Sequence, residues 1–418
     1  MGNKMGVEFL NIIESDEAKE IIKEKFDECY IAESEIIDIS ESANRITFSK
    51  IESKIDFPPF NRSLKDGFAI KAEDSYGVNE ENPKRLKVID FLEAGSFTEK
   101  TVELGNCVEI STGAPIPDGA DAVIMVEFTY KSDENPQLEE DEVEILTSVT
   151  PSQDIGQKGS DVKKGQVILD ENIILNPPKI GVIAAQGIDT AEVYKKPKVG
   201  IISTGNELLT KQEELKPGKI YDVNSEMIRA GVNSCGAEGE CLGIVKDNYD
   251  DLKNKITESL KECDILLCSG GTSAGVGDNI RHILDELGEV YIHGITVQPG
   301  KPTILGVVDG KIVIGLPGNP VSAIVIFNVF VAPAIKKLAG FKEEEKHRTI
   351  KGKLARRIHS PIGRMQYQLV RVEDDTVYPI FKDSGAIFSL ASAAGYTKVS
   401  KQTELVEEGE EVEVTLFN

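Results

Sequence analysis

From Lys198 onward the apolar positions change period repeatedly, and the changes predict alternating strands and helices. The runs at 199–203 and 265–268 are too short for buried helices and are bounded by turn residues, so they read as buried strands; 240–245 reads as another. Apolar residues recur at helical spacing in 225–235, in 250–263 (Leu252, Ile256, Leu260) and in 279–287 (Ile280, Ile283, Leu284, Leu287). Such alternation implies a parallel sheet with helices on both faces. Asp309-Gly310 between two apolar runs, 304–308 and 312–316, predicts a hairpin. Pro317-Gly318-Asn319-Pro320 stops it, and 321–338 reads as a long apolar helix bent at Pro333.

Before this region the texture differs. Residues 8–47 are charged and helical in tendency, notably 18–29 and 40–46, until Asp56-Phe57-Pro58-Pro59-Phe60-Asn61 breaks any helix. Short strands follow at 87–91, 107–111, 122–126 and 142–145, with the acidic stretch 132–142 as an exposed loop. More strands with glycine turns fill 150–196, and 177–187 reads as a helix. The expected fold is a multidomain α/β plus β chain. It has an elongated, discontinuous N-terminal or linker domain (1–48 and 150–196) and an inserted small β domain (49–149). A central α/β domain with a parallel-type sheet (197–340) and a C-terminal β domain (341–418) complete it.

Length and charge narrow the function classes. A chain of 418 residues exceeds one core. Lys plus Arg is 47 against 71 Asp plus Glu, a formal net charge of −24, which argues against nucleic acid and anionic membranes as partners. Any anionic ligand must then be held by local donors. The first residues lack an apolar signal core, and no run approaches a membrane span. Six scattered cysteines without a C-x-x-C pair, and four histidines that do not cluster with them, make a structural zinc site unexpected and suit reduced thiols in the cytoplasm.

In open α/β sheets ligands collect beyond the carboxyl ends of the strands. Three expected loops leave such ends: Ser203-Thr204-Gly205-Asn206-Glu207, Ser269-Gly270-Gly271-Thr272-Ser273 with Asp278 behind it, and Pro317-Gly318-Asn319-Pro320. Each sets glycine beside a hydroxyl or amide donor, a pattern suited to a phosphate and a polar heterocycle, although ordinary tight turns read the same way. Glu207, Asp222, Asp247 and Asp278 punctuate this region; a divalent cation bridging them would reconcile carboxylates with an anion site, while solvated surface positions are the alternative. Lys301, fixed between Gly300 and Pro302, is a candidate anion clamp. Asp66-Gly67 and Thr112-Gly113 stand out in the β insertion but could each be only a turn.

The ordered set of motifs is more specific than any one of them. Pro58-Pro59-Phe60 through Lys65-Asp66-Gly67-Phe68, then Ser111-Thr112-Gly113-Ala114-Pro115, Gly159-Ser160-Asp161, Ser203-Thr204-Gly205-Asn206-Glu207, Ser269 to Asp278, Pro299-Gly300-Lys301-Pro302 and Gly315 to Ser322 follow in order. From about residue 10 onward the chain resembles the molybdopterin molybdenumtransferase family, the molybdenum insertases related to the gephyrin E domain. The resemblance implies a four-domain homodimer with an active site between subunits. It implies a transferase that takes adenylylated molybdopterin and molybdate (or tungstate), inserts the metal and releases AMP with Mg²⁺. By position Asp66, Glu207, Asp247 and Asp278 would be catalytic, the last three also holding the metal ion, with Thr112 completing the site beside Asp66 from the other subunit. Thr204, Gly205, Asp222, Ser269, Gly270, Gly271, Thr272, Pro317, Gly318 and Asn319 would bind molybdopterin and nucleotide. Lys301, Pro302, Ser273 and Ser322 would hold oxyanion or phosphate, with Arg364 and Ser384 or Ser389 added from the last domain.

Gln298 stands where the family often has Lys, which bears on oxyanion affinity. Lys65 and Phe68 depart from the usual Met and Tyr around Asp66. Two other readings remain at this point. A molybdopterin adenylyltransferase would share the α/β loops without needing Asp66, Thr112 or the last domain; it is also an expected partner. A scaffold with the same fold would use its surface instead.

Overall fold

The computed structural model describes residues 12–270, 279–342, 348–381 and 385–417. Its contacts divide the chain into two compact units, one of Met1–Ser49, Glu171–Asn176 and Ala191–Asn418, the other of Lys50–Asp170 and Pro177–Thr190.

The first unit is built on a six-stranded sheet. Its strands are β1 (Lys198–Thr204), β2 (Glu238–Val245), β3 (Ile265–Ser269), β4 (Glu289–His293), β5 (Ile304–Val308) and β6 (Lys311–Leu316), in spatial order β2-β1-β3-β6-β5-β4. Neighbours from β2 to β6 pair in parallel, whereas β6–β5 and β5–β4 are antiparallel. Helices α1 (Asn224–Ser234), α2 (Tyr249–Ser259) and α3 (Asn279–Leu287) make the connections.

Both faces of this sheet are covered, which is why its central strands are apolar without alternation. Ile201, Leu267 and Ile314 pack on one face with Ile228 and Val232 of α1 and with Phe26 of the helix Ser15–Cys29. Ile202, Leu266 and Val313 pack on the other with Leu252 and Ile256 of α2 and Ile280 and Ile283 of α3. The helix after β6 is α4 (Pro320–Ile326), a widened turn over Phe327–Val331, and α5 (Ala332–Leu338). By length and apolar content this stretch resembles a membrane span, yet 72% of it is buried inside the unit, as a core helix is. Its irregularity is the expected bend: Pro333 has no N–H to offer the preceding turn, and the widened turn lies just before it.

The structure corrects several details. β4 was not anticipated; its five residues carry too short an alternation to separate it from a loop. The second predicted helix ends at Ser259 rather than 263, in a turn where the Cys263 N–H donates to the Ser259 carbonyl at 3.2 Å. Residues 40–46 are not helical beyond the short turn Ile39–Glu41, which Asp38 Oδ1 caps at its start through the Ser40 N–H at 2.8 Å; Asn44, at φ +62, takes a left-handed conformation that does not continue a helix.

The last segment closes into a small barrel. Its strands β7 (Thr349–Leu354), β8 (Met365–Glu373), β9 (Thr376–Pro379), β10 (Gly395–Val399) and β11 (Glu411–Leu416) follow the ring β8-β9-β7-β11-β10, with β10 paired back to β8. Leu354, Val370, Val377 and Val414 fill it. A row of ring contacts, Phe330 to Tyr367 at 6.3 Å and Tyr367 to Tyr396 at 5.5 Å, fastens this barrel to the helix after β6.

The second unit contains a six-stranded sheet in the order Ala122–Met125, Gly67–Ile70, Asn106–Ile110, Lys84–Leu92, Glu142–Ile145 and Thr129–Lys131. Phe68, Ile70, Leu86 and Ile124 face one core; Ala69, Val108, Ile110 and Val123 face another. This is the period-two alternation expected of strands buried on both sides.

Candidate active site

From β1 the chain runs outward to β2 and then returns across β1 to β3. At such a switch point the loops leaving β1 and β3 diverge and open a crevice. A cavity of about 740 Å³ lies there. Thr204, Glu207, Asp222, Asp247, Ser269, Gly270, Pro302, Pro317, Gly318, Asn319 and Ser322 line it, together with Ser203 and Asn224. Gly205 is buried beneath the rim, its N–H donating to the Val245 carbonyl at 3.2 Å. Gly271, Thr272, Ser273 and Asp278, and Ser384 of the last domain, lie outside the described residues.

The loops are held together at short range. Gly270 has φ +96, and a Cβ there would stand 2.3 Å from the Thr204 carbonyl oxygen, so only glycine lets the β3 loop lie against the β1 loop. Thr204 Oγ1 donates to Asp247 Oδ1 at 2.6 Å, which fixes one carboxylate oxygen of the loop after β2. The Ser225 N–H donates to Asp222 Oδ1 at 3.2 Å, in the first turn of α1.

A second cavity, of about 570 Å³, shares Pro302 and Ser322 with the first. Lys301, Arg364, Gln298, Gln366, Gln368 and Ser389 line it, and no carboxylate among the described residues does. Lys301 is set by its backbone: its carbonyl accepts from Ile295 and Thr303 N–H, both at 3.0 Å. Gly300, with φ +107, has no room for a side chain against Ile326. Arg364 arrives because Val297-Gln298 pairs in parallel with Met365-Gln366 at the start of β8. Two cations and several neutral amides and hydroxyls around a small space suit a tetrahedral dianion.

Hard oxygen donors stand on the wall of the larger cavity: Glu207, Asp222 and Asp247. This chemistry fits Mg²⁺, which takes one or two carboxylates and completes its shell with water and phosphate. Among the described residues no group of three or more His, Cys, Asp or Glu side chains is gathered around one point, and the expected set includes Asp278.

In the second unit Asp66 and Thr112 come together by register. Gly67 pairs with Ile110, so the residue before one strand meets the loop after the other, and the Thr112 N–H donates to Asp66 Oδ1 at 2.7 Å.

Asn224, Gln366 and Gln368 were not singled out from sequence. Asn224 resembles any polar residue opening a helix; its partners Ser269 and Gly318 lie far along the chain. The glutamines look like ordinary polar positions of a barrel strand.

Three family models match, in order: the MoeA N-terminal region (domain I and II) over residues 13–187, a "Probable molybdopterin binding domain" over 200–337, and the MoeA C-terminal region (domain IV) over 351–417. The chain belongs to the MoeA family. A Methanocaldococcus jannaschii protein named for molybdopterin biosynthesis is 36% identical over 419 residues, covering 97% of this chain and 98% of the relative. The molybdopterin molybdenumtransferase of a Nostoc species is 36% identical over 312 residues, 74% of this chain and 70% of that one. A solved Pyrococcus horikoshii MoeA structure, described as a molybdopterin biosynthesis protein, superposes with a TM-score of 0.87 at 36% identity, covering 98% of this chain and 100% of its own. The expected family is thereby borne out, and so is a transferase role in molybdenum cofactor biosynthesis for this MoeA protein.

Proposed function

We propose that this MoeA protein takes adenylylated molybdopterin and molybdate (or tungstate), cleaves the phosphoanhydride, delivers the metal to the dithiolene and releases AMP. The observation that carries the reading is the pairing of two cavities through Pro302 and Ser322. The larger offers neutral donors and carboxylates to a phosphate and heterocycle. The smaller offers Lys301 and Arg364 without a competing carboxylate among the described residues. In a chain of net charge −24 this is where a dianion can be held.

The chain's own groups then have separate tasks. Lys301 and Arg364 bind and orient the oxyanion, with Ser322 on the shared wall. Thr204 holds Asp247 Oδ1 through its hydroxyl, while Oδ2 takes only a long bond from the Asn206 N–H at 3.4 Å. Glu207 and Asp247, with Asp278, would hold Mg²⁺, which when bound neutralises charge developing on the released phosphate. Asp66 and Thr112 we assign to the substrate as well. The protein is proposed to act as a homodimer in the cytoplasm, where its free cysteines stay reduced. It would follow a molybdopterin adenylyltransferase.

The test is a defined assay with purified protein, adenylylated molybdopterin, Mg²⁺ and either molybdate or tungstate. AMP release that depends on the oxyanion, yields metal cofactor and stops on chelation of Mg²⁺ is the expected result. ATP-dependent adenylylation of free molybdopterin, or oxyanion binding without turnover, would overturn the assignment.

A further inference from the structure

The barrel segment carries a cavity of its own, of about 680 Å³, lined by Arg356, Arg357, His359, Phe381, Glu407 and Glu408. Backbone pairing explains its two charged walls. Ile358–His359 runs antiparallel to Leu405–Val406, with Ile358 opposite Val406 and His359 opposite Leu405. Extended one and two residues further, that register brings Arg357 toward Glu407 and Arg356 toward Glu408. Opposite charges so placed on neighbouring strands normally close on one another. Here they stay apart: neither arginine and neither glutamate carboxylate is in an ion pair. The chain turns away directly after Val406, where the Glu407 N–H donates to Glu410 Oε1 and the Gly409 N–H to the Leu354 carbonyl, both at 2.8 Å. Phe381, two residues beyond β9 and 55% exposed, stands on the remaining side. It also lines the oxyanion cavity, so the two cavities meet at this residue.

We propose that this cavity binds a nucleoside monophosphate. Arg356 and Arg357 take the phosphate, whose oxygens match their planar donor forks. The Glu407 and Glu408 carboxylates accept from the ribose hydroxyls, as an acidic residue does in dinucleotide sites. The base stacks on Phe381, since every base offers a flat face to an aromatic ring. A volume within the roughly 300–1,000 Å³ of small-molecule sites suits this class better than a free aromatic amino acid, the other ligand with opposite charges and a ring. The cavity shares no described lining residue with the larger one and does not depend on reading that one as the substrate site.

The experiment uses AMP as the probe. The chain has no Trp, so Phe381→Trp places a single indole in this cavity, and its fluorescence in the full chain reports local binding. AMP is expected to change it saturably, and to bind about tenfold or more tighter than adenosine, which lacks the phosphate. Adding Arg356→Gln and Arg357→Gln should weaken AMP by about tenfold to a hundredfold. Adding Glu407→Gln and Glu408→Gln instead should bring AMP and 2′-deoxy-AMP to within about twofold of each other. All four positions are exposed, so these variants are expected to fold. Calorimetry of AMP into the chain that keeps Phe381, with and without the two arginine changes, should show one site fewer in the variant. That difference stands whether or not the larger cavity also takes AMP. An AMP response that survives the arginine changes comes from elsewhere and overturns the proposal. So does the lack of any AMP response, or tighter binding of phenylalanine than of AMP.

Discussion

Replacing Gly270 with alanine tests how the two ligand loops are packed. Two costs add at this position. Its φ of +96 is a conformation that side chains rarely adopt, worth about 1–2 kcal/mol. The new Cβ would also lie 2.3 Å from the Thr204 carbonyl oxygen, and neither backbone can yield as a flexible side chain would. Overpacking of this kind costs about 1–3 kcal/mol more. Gly243 provides the control, because its φ is +106 but nothing lies within 4 Å of its would-be Cβ. Gly243→Ala should therefore lose only the backbone share, about 1–2 kcal/mol. The chain has no Trp, so unfolding is best followed by circular dichroism in urea. Gly270→Ala should also weaken AMP binding, because moving Thr204 disturbs the hydroxyl that holds Asp247. Equal destabilisation by the two variants, with AMP affinity unchanged, would refute close packing of these loops as the reason for glycine.

Three further outcomes are expected. Asp66→Asn keeps an oxygen for the Thr112 N–H, so the fold should survive with little change, while AMP release falls by about 10²-fold or more if the carboxylate acts as a base; full activity would remove Asp66 from the mechanism. Lys301→Ala and Arg364→Ala should each weaken molybdate binding by about tenfold to a hundredfold, from the about 1.5–3 kcal/mol of a charge-assisted bond, and equilibrium dialysis with unchanged affinity would refute the oxyanion cavity. Burial pushes the Cys107 and Cys268 thiols up to about 12 and Cys235 up to about 11, from an ordinary 9.0. Their stabilising contribution is complete below 9.0 and is lost as pH rises from there toward the folded values, since the unfolded chain then releases protons the folded chain keeps. The unfolding temperature should decline over that range, and at neutral pH an alkylating reagent should reach the half-buried Cys29 and Cys241 before these three.

Much of the α/β domain was legible because its signals are local. Asn279 to Leu287 shows its apolar positions at helical spacing, and Asp309-Gly310 takes positive φ at both residues, as a tight hairpin requires. Lys301 drew notice because glycine and proline flank it, and the three glycine-bearing loops because each follows an apolar strand. Strand order was not local. Only the completed sheet places β1 between β2 and β3, and that placement turns Thr204, Asp247 and Ser269 into walls of one cavity. Arg364 lines the same cavity as Lys301 because a two-residue strand pairs with the start of a barrel strand, a bond pattern with no signature in composition. Asn224 is the sharpest case. Its residue type at the start of a helix was visible in the sequence, but the two bonds that fix its amide come from loops far along the chain. Propensity and turn chemistry act over a few residues, so the sequence by itself determined the elements and the donor-rich loops. Which loops share a cavity, and which side chains fasten them to one another, depend on long-range pairing and packing that only the tertiary structure decided.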